Sequence, residues 1–355
     1  MIISASRRSD IPAFFGEWFV NRLKEGFVFV RNPLNANSVS RIPLDPKFIE
    51  CIVFWTKNAA DFMRYLPMID SLGYKYYFQY TLTSYSKDVE PNVPEKRNVI
   101  DNFIELSKRL GKEKVVWRYD PILLTPKYDM EYHVKWFEYL CKELSPYTEK
   151  CIISFLDDYA FLKDCLNALN VQNMAETQMF MLAEAFSQIA QKYNLKLASC
   201  SEKMDLGKLR ISHNSCIDGD LIERITGLGI NKRKDADQRP LCGCIESREI
   251  GSFNTCRHGC AYCYARRGLD RTSANMYNSD SPMLCDTLIG TEKITDVKPK
   301  VVNCNMKMPL PEFSRNGTFS FYVIRLLGGG AEVSFKRLVL TRRGSESTAH
   351  IAFII

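Results

Sequence analysis

Residues 51–83 decide the fold: CIVFWTKN (51–58), a helical stretch ended by Gly73, then YKYYFQYTLT (74–83). Two β-rich runs separated by a helix form a βα unit, and such a crossover returns the chain parallel to itself. The same alternation continues on both sides. Downstream come a helix from Glu95 to Leu110 ended by Gly111, a strand at 114–123 (KVVWRYDPIL), a helix at 129–144, a strand at 151–157, a helix at 175–193 and a strand at 195–200. Upstream, residues 1–6 read as a buried strand. Ala13–Glu25 read as an amphipathic helix with Phe15, Phe19, Val20 and Leu23 on one side, and FVFVRN (27–32) as another strand. Seven strands in one alternation predict an α/β fold, a complete or partial (β/α)8-type (TIM-like) barrel.

In such sheets the site lies at the carboxyl ends of the strands. Those ends carry Arg7, Arg8 and Asp10; Arg31 and Asn32; Lys57 and Asn58; Gln79; Arg118 and Asp120; Asp157; and Glu202. The cations favour an anionic, small-molecule or nucleotide-like ligand. Lys57, Arg118, Asp120 and Glu202 are the candidate catalytic residues. Arg7, Arg8, Asp10, Asn58 and Gln79 are candidates for binding a cofactor. His213 joins the catalytic set as a proton donor or metal ligand, the alternative being a buried hydrogen-bonding residue. Asp218 reads as the N-cap of a helix over 219–226, and Cys216 as a packing residue or, alternatively, a further ligand of the metal cluster.

A second signal follows the alternation. Cys256, Cys260 and Cys263 stand at C-x3-C-x2-C spacing in CRHGCAYCYA, and Cys242 and Cys244 precede them as CGC. Five of the 13 cysteines fall within 22 residues. Soft thiolates gathered in a polar loop hold zinc or an iron–sulfur cluster. Arg257, His258 and Gly259 do not read as core. A zinc ribbon offers two knuckles and four ligands, whereas three thiolates from one loop leave one iron of a four-iron cluster open. With Tyr262 before the last cysteine, the pattern looks like the signature of radical S-adenosylmethionine enzymes. In them the open iron binds the cofactor, so Tyr262 joins the cofactor candidates. Cys242 and Cys244 are candidates for a second metal, zinc or iron–sulfur, or for a hydrogen-atom donor.

The chain has 355 residues, is 46% hydrophobic and 25% charged, and carries a net charge of +7. Its N-terminus does not read as a signal peptide, and no run approaches the roughly 18–20 apolar residues of a membrane span. Clustered cysteines without a disulfide framework point to a reducing, cytoplasmic setting. Three segments are expected: a barrel (1–230), a cysteine-rich segment on its mouth (231–302), and a basic tail (303–355), either disordered or a small β-meander. The tail holds +4 of the net charge (seven basic residues, three acidic), so the body is close to balanced and gives little support for a nucleic-acid partner.

The first 300 residues or so resemble a bacterial family catalogued as domain of unknown function 1848. The resemblance rests on SASRRSDIPAF (4–14), VFWTKN (53–58), YYFQYTLT (76–83), WRYDPILLT (117–125), SCIDG (215–219), CGC (242–244) and TCRHGCAYCYA (255–265). It implies a distant kinship with radical S-adenosylmethionine proteins, including the spore photoproduct lyase group. The expectation is therefore a [4Fe-4S] cluster on Cys256, Cys260 and Cys263, S-adenosylmethionine on the open iron, and an electron donor such as flavodoxin or ferredoxin. In most such enzymes the cysteine loop follows the first barrel strand; here it comes last. That order implies either a permuted barrel or a separate metal module. The rival readings are a zinc-stabilised barrel with non-radical chemistry and a nucleic-acid-binding or repair-associated protein using the basic tail.

Overall fold

The computed structural model describes residues 1–157, 159–266, 274–299, 318–326, 333–341 and 352–353. Two compact units are present, Met1–Met306 and Lys307–Ile355.

The first unit is built on one eight-stranded sheet. Its elements are β1 (Ile2–Ala5), α1 (Ile11–Phe14), α2 (Gly16–Glu25), β2 (Phe27–Asn32), β3 (Asn35–Pro43), β4 (Cys51–Thr56), α3 (Leu66–Ser71), β5 (Tyr76–Thr81), α4 (Lys96–Leu110), β6 (Val115–Ile122), α5 (Met130–Leu144), β7 (Lys150–Phe155), α6 (Lys163–Ala168), α7 (Glu176–Lys192), β8 (Lys196–Ser199), β9 (Ser212–His213), α8 (Gly219–Thr226), β10 (Arg248–Glu249) and β11 (Lys293–Asp296). The strand order is β10-β1-β4-β5-β6-β7-β8-β9, and every pairing in it is parallel. No pairing joins β9 to β10 among the described residues. The sheet is therefore open, and a closed barrel is not formed.

Alternation along each strand separates two cores. Ile52, Phe54, Phe78, Trp117 and Ile153 face the helices. There Phe54 stacks on Phe78 with ring centroids 4.9 Å apart, and Phe137 of α5 lies between Trp117 (5.3 Å) and Phe186 of α7 (4.0 Å). Cys51, Val53, Tyr77, Val116 and Ile152 face the other way. That face is covered by α8 and by the segment carrying Cys216, Cys242 and Cys244. Local chemistry sets the helix ends. Asp129 accepts from Tyr132 N at 2.8 Å to start α5, and Asp218 accepts from Asp220 N and Leu221 N at 3.0 and 3.2 Å to start α8. Gly111, at φ +93°, ends α4.

Three expectations are corrected. FVFVRN is not a strand of the main sheet: β2 pairs antiparallel with β3 as a hairpin, and β11 joins β3 in parallel. Two residues separate β2 from β3, too few for the crossover a parallel pair needs. The helix expected over 13–25 is broken at Phe15, and Gly16 opens α2. The helix expected over 59–72 is a 3-10 turn (Phe62–Tyr65) followed by α3, with Pro67 in the first turn of α3. The second unit holds β12 (Thr318–Leu326), β13 (Val333–Thr341) and β14 (Ala352–Phe353), an antiparallel sheet in that order.

Candidate functional site

The parallel strands end on one side, and a cleft of about 830 Å³ opens there. Arg7, Arg8 and Asp10 line it from the loop after β1, Lys57 from the end of β4, and Arg118 and Asp120 from β6. Cys256, Cys260, Tyr262 and Cys263 of the cysteine loop line it as well.

The cysteine loop is pinned by contacts far apart in sequence. Thr255 Oγ1 donates to Ser9 Oγ at 2.8 Å, His258 Nε2 meets Asp10 Oδ2 at 2.9 Å, and Tyr264 Oη donates to the Arg7 carbonyl at 2.7 Å. Backbone N–H groups of Asn92 and Ala261 bond to the carbonyls of His258 and Val89. Gly259 sits at φ +71°, and a Cβ there would come 3.2 Å from Pro91. His258 is only 3% exposed, so the motif is less polar in surroundings than its letters imply.

Glu90, 1% exposed, ties the cysteine loop to the strand ends. Its carboxylate meets Lys57 Nζ at 2.7 Å and Lys96 Nζ at 3.4 Å, and accepts from Thr83 Oγ1 (2.7 Å) and from the Tyr262 hydroxyl. Burial opposes ionisation of Glu90, but the Lys57 and Lys96 charges outweigh it and hold the carboxyl at about 2. Burial likewise works against the Lys57 charge, and the Glu90 carboxylate more than restores it. Burial pushes the thiols of Cys256 and Cys263 up, and that of Cys260 to about 12; Lys57 acts against the rise at Cys260 and Cys263. The loop thus sets its thiols in a buried place beside the Lys57 ammonium group. Replacing their protons with metal would leave negative thiolates facing Lys57.

Arg118 is buried and held by Asp120, with its Nε 2.9 Å from Asp120 Oδ2. Its Nη1 reaches Gln79 Oε1 at 3.3 Å and Cys216 Sγ at 2.8 Å. Arg7 donates to Ser247 Oγ at 2.8 Å and lies 5.6 Å from the Trp55 ring centroid, while its Nε is buried with no partner among the described residues. Arg8 lies over Phe253 at 5.0 Å.

Four of the candidates stand elsewhere. Asn58 accepts from Ala60 N at 3.1 Å and shapes the turn after β4. Gln79 is fully buried beneath the cleft, where it bonds Arg118 and the Cys216 carbonyl. Glu202 accepts from Phe155 N at 2.9 Å, and burial lifts its carboxyl to about 7; it bonds the end of β7 and does not line the cleft. His213 is exposed on edge strand β9, away from the cleft lining. Its neighbour Ser212 pairs with Ala198, so β9 turns His213 outward instead of into the cleft. Glu90 and Cys200 carry no motif in the sequence, yet Glu90 anchors the cysteine loop and Cys200 lies 3.5 Å from Cys216, sulfur to sulfur. Among the described residues, no three Cys, His, Asp or Glu side chains surround one point that would hold a single ion. No helix among the described residues is long and apolar enough to cross a membrane.

The sequence model of the family described as domain of unknown function (DUF1848) matches residues 2–265. The chain belongs to this family. The match spans the main sheet through the last cysteine of the loop and stops short of the 300 residues expected. No curated protein and no solved structure matches the chain.

Proposed function

We propose that the protein is a radical S-adenosylmethionine-type iron–sulfur enzyme acting on an anionic substrate. The reading is carried by where the cysteine loop leaves the sheet. In space the strands run β10-β1-β4-β5-β6-β7-β8-β9, and the loop follows β10. Counted across the sheet, the loop therefore follows the first strand, and the other strands succeed one another in chain order. This is the arrangement expected of the superfamily with its first strand moved to the end of the sequence.

The donor set suits the group. Cys256, Cys260 and Cys263 would hold a [4Fe-4S] cluster from one loop, leaving one iron for S-adenosylmethionine. When bound, the pair supplies a carbon radical by reductive cleavage of the cofactor. The chain's own residues bind and orient. Glu90 fixes Tyr262 and Lys57 against the loop. Lys57 sets a positive charge beside the thiolates. Arg7 and Arg118, the latter held by Asp120, line the cleft and are the cations offered to carboxylate or phosphate oxygens of cofactor or substrate. A reductant such as flavodoxin or ferredoxin belongs to this reading.

The test is made on protein purified without oxygen: iron and sulfide content, and the electron paramagnetic resonance spectrum of the reduced form with and without S-adenosylmethionine. The expected result is about four irons per chain, a spectrum changed by the cofactor, and loss of both in Cys260→Ala. A folded protein without sulfide, indifferent to S-adenosylmethionine, would end the reading.

A further inference from the structure

Four of the cysteines that this reading leaves aside come together on the inner face of the sheet. Cys200 follows β8, Cys216 lies between β9 and α8, and Cys242 and Cys244 come from the CGC turn. Cys200 Sγ is 3.5 Å from Cys216 Sγ. Cys244 neighbours both Cys216 and Cys242. All four line the cleft, and Cys216, Cys242 and Cys244 are buried.

Two observations separate this group from packed core thiols. The first is the direction of the hydrogen bonds. Arg118 Nη1 donates to Cys216 Sγ at 2.8 Å, Asn214 Nδ2 to the same sulfur at 3.4 Å, and Ile217 N to Cys244 Sγ at 3.3 Å. Three N–H donors are aimed at two sulfurs, as outer-shell donors are aimed at metal-bound thiolates. A buried neutral thiol is a weak acceptor and has no need of a guanidinium. The second is the CGC turn itself. A Cβ on Gly243 would lie 2.6 Å from Ser215 Oγ and 3.2 Å from the Asn214 carbonyl oxygen, and Ser215 Oγ donates to the Gly243 carbonyl at 2.7 Å. The glycine lets the two segments close against each other, and their closure sets Cys244 beside Cys216.

We infer that Cys200, Cys216, Cys242 and Cys244 form a second metal site, a tetrathiolate that takes one thiophilic divalent ion of the zinc class. The 3.5 Å between Cys200 and Cys216 is near the sulfur–sulfur spacing of a tetrahedral ion with bonds of about 2.3 Å, which is about 3.8 Å. The sulfurs neighbour one another in the order Cys200, Cys216, Cys244, Cys242, and among the described residues no three of them surround one point. Binding draws them round it by side-chain rotation. Four deprotonated thiolates and one divalent ion leave two negative charges, which face the Arg118 guanidinium. The site clasps the end of β8, the start of α8 and the segment leading to β10, and so fixes the floor of the cleft.

The test reads zinc where the other cysteines cannot supply it. The triple variant C256A/C260A/C263A is purified anaerobically, its fold checked by circular dichroism, and its metals counted. One zinc per chain and no iron are expected. Adding Cys216→Ser or Cys200→Ser should increase zinc loss to a chelator at least tenfold. Cobalt in place of zinc should give the visible absorption of a tetrahedral thiolate site, weakened by the same serines. If the triple variant fails to fold, Gly243→Ala in the full chain takes its place. It keeps all seven loop and inner-face thiols, so zinc retention should fall about tenfold while iron content is unchanged. A folded triple variant with all four thiols free, or one holding iron and sulfide, overturns the inference. Absence of iron from the parent protein would end the radical reading and leave this result standing.

Discussion

Replacing Glu90 by glutamine removes one charge and almost no volume from the centre of the site. The carboxyl is drawn from its ordinary 4.5 to about 2 by Lys57 and Lys96 against the opposition of burial. A fall of that size corresponds to about 3 kcal/mol of folding stability at neutral pH. The figure agrees with the roughly 3–5 kcal/mol lost when one partner of a buried ion pair is removed, because Lys57 would remain buried without its counter-charge. The pH dependence follows from the direction of the shift. Above about pH 4.5 the carboxylate's contribution is complete; it drains away as pH falls toward about 2, where Glu90 is protonated folded or unfolded. Urea unfolding of parent and E90Q at pH 7, 5, 4 and 3 should therefore show a gap of about 3 kcal/mol at pH 7 that narrows below about pH 4.5. Combining E90Q with K57M should recover part of the loss, since the stranded ammonium is gone. A gap under about 1 kcal/mol at pH 7, or one that does not change with pH, would refute the account of Glu90 as the anchor of Lys57.

Two further substitutions probe the frame around the site. Gly251→Ala puts a Cβ 1.9 Å from Ser6 Oγ and 2.5 Å from Ser6 Cβ, where β10 passes β1; it should cost about 1–3 kcal/mol in urea unfolding and loosen the cysteine loop to proteolysis. Phe137→Ala empties the space between Trp117 and Phe186 and should cost about 3–5 kcal/mol, seen as a lower thermal midpoint with the cleft chemistry intact.

The parallel sheet was legible because its strands are short apolar runs set between helices closed by glycine. Gly73 and Gly111 mark those ends in the letters and adopt positive φ in the fold. The Asp218 cap was legible for the same local reason. What the sequence hid was non-local. NANSVSRIP has too little apolar content to announce β3, so its partner β2 read as one more parallel strand. Strands β9 and β10 are two residues each and carry no period. Glu90 lies in a loop with no motif, and its importance comes from Lys57, Lys96 and Tyr262, of which Tyr262 is 172 residues away. Strand ends and spacing pointed to Lys57, Arg118, Asp120 and the three loop cysteines, and all six line the cleft. Gln79 and Glu202 were chosen on the same rule, but the sheet sets them beneath and beside the cleft, where they hold other groups in place.

The position of the cysteine loop joins these observations. A loop that comes after the sheet in sequence has two places to go: onto the far edge beside β9, or back to the start beside β1. The two-residue strand β10 decides it. Ile3 and Ser4 pair in parallel with Arg248 and Glu249, and Ile250 N donates to the Ser4 carbonyl at 3.1 Å. Glu249 then accepts from Ser4 Oγ at 2.6 Å and Arg7 N at 2.9 Å, so one side chain fixes both the strand pair and the turn that carries Arg7. Because the pairing is parallel, the chain leaves β10 at the same side of the sheet as every other strand end, and the next residues are the cysteine loop. A last-in-sequence loop thereby becomes first in space, in one cleft with Lys57, Asp10 and Arg118. An antiparallel β10 would have sent the same cysteines to the other end of the sheet, away from every charged strand end. The orientation of two short strands is what makes the cysteines and the cationic mouth one site.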